Sequence, residues 1–176
     1  ESHAASFALL VYASAWIKCH HPEVFCCAIL NSQPLGFYAP AQLVIDARKH
    51  GVEVLPICAE KSYWDCSLEP STTGKLAVRL GFRQVNGFKE EDAQWLAACR
   101  ANGYRSIEAI WRRSGLTRSA LSKLAAADAF KSYGLSRREA LWQVKGIGGE
   151  KPLPLFQSEG EGINTDIGIL PPMSHE

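Results

Sequence analysis

Between Ala4 and Ile17 the only clearly polar side chains are Ser6 and Ser14, and this run constrains the fold more than any other. An apolar run of this length without alternation predicts a helix rather than a strand. Ser2 stands where an N-cap is expected, and Pro22 where one helix stops or the next begins. A helix that is apolar all round offers no face to water, so burial on most sides is expected. The run is too short to span a bilayer. A cap at the very first residues, with no Met, linker or leader ahead of it, is what a piece of a longer protein is expected to show.

Charge narrows the options less globally than locally. The chain of 176 residues has a formal net charge of +1, which gives no overall case for nucleic acid. Between Arg100 and Lys145, however, ten Lys or Arg face three acids, Glu108, Asp128 and Glu139, so a phosphate-facing surface is expected there. After Glu150 the sequence turns Gly-, Pro- and acid-rich without periodicity and reads as a tail or linker. The six cysteines lack the spacing of a disulfide framework, which suits reduced thiols and a cytoplasmic protein without targeting or membrane segments.

Periodicity predicts helices over about Ser2 to Lys18, Pro22 to Leu30 and Ala41 to His50, the last closed by Gly51. Glu53 to Cys58, Trp64 to Leu68 and Lys75 to Leu80 are short, partly alternating runs set between turn residues, and read as small strands. From Phe82 onward short helices follow one another. Phe88, Trp95, Leu96 and Cys99 make an apolar stripe at helical spacing. Ser106 caps a helix to Arg113, and Leu116, Thr117 and Leu121 fit a hydrophobic staple that starts another and carries it to about Asp128. Ser136 with Glu139 makes a capping box. The expected fold is mainly α, in four segments: 1–52 helical, 53–81 a short β connection, 82–145 a helical module and 146–176 a flexible tail.

Arg83-Gln84-Val85-Asn86-Gly87-Phe88-Lys89 has the form of a helix-hairpin-helix turn. In such a turn glycine lets the backbone approach a phosphate, while turn amides and the next helix start supply partial positive charge. Asn86-Gly87 alone would be an ordinary turn signal. Lys145-Gly146-Ile147-Gly148-Gly149 matches the same form as a string, but Pro152 and Pro154 forbid a second helix and make it an exit from the last one. Cys19, His20, His21, Cys26 and Cys27 are residue types that bind zinc, yet their spacing matches no finger or ribbon, and adjacent helical thiols diverge by about 100°. Core thiols are the expectation, with a Cys/His metal-binding protein as the alternative.

Several blocks together resemble the C-family bacterial DNA polymerases, the polymerase III alpha subunit and its relatives. They are Ser2-His3-Ala4-Ala5, Trp16-Ile17-Lys18, His21-Pro22, Gln42 to Arg48, Gly51 to Pro56 and Leu80 to Phe88, in that order. Asn31 to Tyr38, Ser62 to Cys66 and Pro152 to Phe156 resemble the error-prone, damage-induced branch. In that resemblance residues 1–52 are part of the fingers and 82–145 a tandem helix-hairpin-helix module, and Lys89 departs from a glycine usual in the replicative relatives. The implied activity is template-directed DNA synthesis in damage tolerance, repair and translesion synthesis. The implied partners are primer-template duplex, the incoming deoxynucleotide, the sliding clamp and translesion accessory proteins. Ser2, His3 and Tyr12 are implied to lie near the nucleotide, and Arg83, Asn86, Gly87, Phe88, Lys89, Arg112, Arg113 and Arg118 to bind DNA. No cofactor or catalytic residue is expected within these 176 residues, magnesium belonging to the intact polymerase whose palm aspartates lie elsewhere. The chain by itself is therefore expected to be inactive. The alternative from the residues is a standalone DNA-binding module without enzymatic role.

Overall fold

Two prolines open the second and third helices, at positions where the missing N–H costs no intrahelical bond. A computed structural model describes residues 2–34, 38–71 and 74–147. In chain order the elements are α1 (Ser2–His20), α2 (Pro22–Asn31), α3 (Pro40–Lys49), β1 (Val54–Leu55), β2 (Ser67–Pro70), β3 (Leu76–Arg79), α4 (Glu90–Ala98), α5 (Ile107–Ser114), α6 (Arg118–Ala126) and α7 (Arg137–Gly146). Short 3-10 turns at Phe82–Gln84 and Lys131–Tyr133 join them. The fold is mainly α with one small sheet, as the periodicity indicated. The tail expectation lies outside the described residues from 148 onward, as do the Pro152 to Phe156 block and the side chain of Ser2.

The described residues form two hydrophobic cores. The first joins Cys26, Cys27 and Leu30 of α2 to Ala47 of α3 and to Val52, Val54, Cys66 and Val78 around the sheet. The sheet runs β1-β3-β2, with β1 parallel to β3 and β2 antiparallel to it. Arg79, buried on β3, is tied to the Glu69 carboxylate at 2.8 and 3.0 Å and to the Pro56 carbonyl at 2.9 Å. The second core gathers Phe82, Val85 and Phe88 with Leu96, Ile107, Ile110, Leu121, Leu124, Phe130 and Val144 from α4 to α7 and their connections.

Two expectations are corrected. The strand expected through Cys58 stops at Leu55, because residues 57–64 leave the sheet for the second core. There Ala59 N–H donates to the Ala129 carbonyl at 2.9 Å, while the Ser62 hydroxyl accepts from Cys58 N–H at 3.0 Å and donates to the Leu80 carbonyl at 2.7 Å. The larger correction is α1, whose described side chains from His3 to His20 are all exposed, with Leu9 at 69% and Tyr12 at 70%. Its described neighbours gather at its C-terminal end: Lys18 pairs with Asp46 of α3 at 2.9 Å, and its ammonium stands 6.0 Å from the centre of the Phe25 ring of α2. A helix without a polar face has no preferred side to turn inward, so its composition set no single packing partner.

Candidate nucleic-acid interface

Three turns in the helical half share one construction. Gly87 has φ +68°, Phe88 drops into the core 5.6 Å from the Phe82 ring, and Lys89 is the N-cap of α4. Gly115 has φ +68°, Leu116 is buried, and Thr117 caps α6 by accepting from Ala120 N–H at 3.2 Å. Gly134 has φ +73°, Leu135 packs against the core, and Ser136 with Glu139 closes a capping box at the start of α7. In each case glycine reverses the chain at low steric cost, the apolar side chain plugs the turn into the core, and the next residue starts a helix. The cap at Thr117 and the box at Ser136 were legible in the sequence. The repeated Gly-apolar-cap pattern was missed, although Gly87-Phe88-Lys89, Gly115-Leu116-Thr117 and Gly134-Leu135-Ser136 spell it.

Charge distinguishes the three turns. Asn86, Gly87 and Lys89 are exposed, and Lys123 of α6 donates to the Gly87 carbonyl at 2.6 Å, placing a second ammonium against that turn. The first turn of α4, however, carries Glu90, Glu91 and Asp92. Those carboxylates suit a helix N-terminus but lower the local attraction for a phosphate. The starts of α6 and α7 instead carry Arg118, and Arg137 with Arg138. Arg137 pairs with Asp128 at 2.6 Å, whereas Arg118, Arg138 and Lys89 are exposed and form no ion pair among the described residues.

The structure separates the other sequence candidates. Phe88 is a core residue rather than a surface one. Arg112 is exposed and paired with Glu108 one turn earlier at 2.6 Å. Arg113 donates to the carbonyls of Gly103 at 2.6 Å, of Arg100 at 3.0 Å and of Cys99, with its guanidinium 4.7 Å from the Tyr104 ring centre, so it closes the C-terminal end of α4. Arg83 is likewise engaged by internal acceptors. Trp95, expected in the buried stripe, is 63% exposed, because Leu96 beside it takes the inward direction and adjacent helical residues diverge by about 100°. On α1, His3 is exposed with its ring 4.4 Å from that of Phe7. Nine residues of helix put Tyr12 on the opposite face from His3 and about 14 Å along the axis, so the helix does not bring the two together.

A loop residue that sequence reasoning passed over braces the module. Glu60 accepts from Tyr104 N–H at 2.9 Å and from the Tyr133 hydroxyl. Burial, reinforced by that carboxylate, pushes the Tyr133 phenol well above its ordinary range, and burial pushes Tyr104 up to about 12. In the other core, burial and then neighbouring thiols push Cys26 and Cys27 up to about 11. Among the described residues no group of three or more His, Cys, Asp or Glu side chains could hold a metal ion, and no helix is long and apolar enough to cross a membrane.

A family model described as a helix-hairpin-helix motif matches residues 51–140, which include all three glycine turns. The chain belongs to the helix-hairpin-helix family. This helix-hairpin-helix chain is 57% identical to an error-prone DNA polymerase of Ruegeria pomeroyi, over 98% of its own length and 16% of that protein. It is 52% identical to one of Sinorhizobium medicae over 91% of its length, and 57% identical to one of Brucella abortus over 90%. It spans 16% and 15% of those two relatives. The resemblance drawn from the sequence blocks is therefore one to error-prone DNA polymerases, and the helix-hairpin-helix read at Gly87 lies within the family match.

Proposed function

We propose that this chain serves an error-prone DNA polymerase by gripping duplex DNA through its phosphates, without reading sequence. The single observation that carries this reading is the set of three glycine-led turns inside the helix-hairpin-helix match, two of them opening onto helix starts with exposed arginines. Amides at a helix start lack intrahelical partners and carry partial positive charge, so they suit a phosphate oxygen. Lys89, Arg118 and Arg138 supply exposed cations beside those turns, and Lys123 supports the first. Asn86 and Gly87 offer backbone and amide rather than charge. Arg112 contributes only where a phosphate competes with Glu108. Such contacts fix register on the duplex and carry no base identity.

The intact protein would perform template-directed nucleotidyl transfer in damage tolerance in the cytoplasm, with a sliding clamp and translesion accessory proteins as partners. Magnesium is implied there, but the described residues offer no donor set for it, so no catalytic step is assigned to this chain. We infer that the Ser2–His3 end of α1 approaches the nucleotide, with Tyr12 further along the same helix near it.

The test is duplex affinity measured against salt. A slope corresponding to a few phosphates is expected, falling by about one contact for Arg118→Ala or Lys89→Ala and by the same amount whatever the DNA sequence. A slope near zero for the unaltered protein would reject the reading.

A further inference from the structure

The two cores meet along a seam in which one guanidinium sits. Arg83, in the 3-10 turn that opens the helical half, donates through Nη1 to the Asn31 carbonyl and to Asp65 Oδ1, both at 2.6 Å, and through Nη2 to the Gln33 carbonyl at 3.0 Å. Its side chain is 21% exposed. Asn31 is the last residue of α2, and its amide pairs with the Cys66 backbone both ways, donating to the carbonyl at 2.9 Å and accepting from the N–H at 2.8 Å. The backbone crosses the same seam where Phe82 N–H donates to the Tyr63 carbonyl at 2.8 Å and Arg83 N–H to the Trp64 carbonyl at 3.1 Å.

We propose that Arg83 is a positioning residue that fixes α2, and through it the α1–α3 segment, relative to the helix-hairpin-helix half, rather than a phosphate contact. The last carbonyls of a helix have no intrahelical donor and carry partial negative charge, so the end of α2 attracts a cation. A planar guanidinium can serve two carbonyls and a carboxylate at once, which a lysine ammonium on its flexible stem cannot do in the same geometry. A phosphate would have to displace all three acceptors. The consequence rests on the proposed polymerase reading: with the duplex held by the hairpins and the nucleotide approached by α1, the Arg83 latch sets the distance between the two.

The test uses the intact polymerase carrying Arg83→Lys, Arg83→Ala or Asp65→Asn, with Arg118→Ala alongside. Arg83→Lys keeps the charge and loses the fork. It is expected to leave duplex Kd within about twofold and the salt slope unchanged, while kcat/KM for the incoming nucleotide falls about tenfold, as misplacement of reacting groups does. Asp65→Asn should show a smaller fall of the same kind, and it carries the test if Arg83→Lys melts too early to assay. Amide exchange over residues 29–33 should quicken in both variants. The proposal is overturned if Arg83→Lys restores normal nucleotide kinetics, if Arg83→Ala lowers the salt slope by about one contact as Arg118→Ala does, or if exchange at the end of α2 is unchanged. Loss of salt-dependent binding in the unaltered enzyme would instead sink the DNA reading, and the exchange measurement would still decide the latch.

Discussion

Arg113 shows how a cation in a basic stretch comes to act on its own chain. Its three carbonyl acceptors and the Tyr104 ring beneath it belong to the loop that follows α4, so truncation leaves several polar groups without their donor. Arg113→Ala is expected to lower stability by about 1–2 kcal/mol, seen in a urea melt, with the salt slope for duplex unchanged. The buried thiols make a second residue-scale prediction. In the unfolded chain Cys26 and Cys27 ionise near the ordinary 9.0, and in the fold near 11, so the unfolded state sheds its protons first as pH rises. Their contribution is intact below pH 9 and is lost between about 9 and 11, and the urea midpoint should drop over that window. Cys26→Ala with Cys27→Ala should flatten the drop. The roles of Arg113 and Arg83 were not legible in the sequence because the acceptors are backbone carbonyls, joined for Arg83 by the distant Asp65 carboxylate, and lie up to 14 residues away for Arg113 and 52 for Arg83. A carbonyl leaves no mark in a sequence.

Elements were easier to read where their signals are local. Ser106, Thr117 and Ser136 each cap the next helix by accepting a backbone N–H three residues on, so both partners lie within one turn of sequence. Replacing Ser136 by Ala removes the hydroxyl arm of its box, leaving the backbone N–H to donate to Glu139, and should cost about 1 kcal/mol, with hydrogen exchange quickening in α7 before α5. The opposite case is α1. Its helical state followed from composition, but its surroundings did not, since an evenly apolar surface names no neighbour. Because Leu9, Leu10 and Val11 are exposed, replacing all three by Gln should change the melting free energy of this chain by no more than about 0.5 kcal/mol per site. A large drop would mean that the helix is covered in solution.

At the scale of the whole molecule, the junction matters more than either core. A Cβ at Gly81 would stand 2.3 Å from the Trp64 carbonyl oxygen and 2.6 Å from that of Asp65, both backbone atoms that cannot rotate away. Gly81→Ala is therefore expected to force the two halves apart and to abolish the single cooperative melt, leaving two transitions or none; an unchanged melt would contradict this packing. Nothing around Gly81 in the sequence announces so close an approach, because the contact is made with a segment sixteen residues earlier.

The glycine-led turns carry a consequence of their own. Each is shaped by one flexible residue, one greasy plug and one helix start, and apart from the Glu139 carboxylate in the box at Ser136 none of the three uses the charge on the helix that follows. Electrostatic character can accordingly be rewritten hairpin by hairpin, acidic after Gly87 and basic after Gly115 and Gly134, while the scaffold stays put. Holding strength and foldability are thus tuned by different letters of the same short stretch.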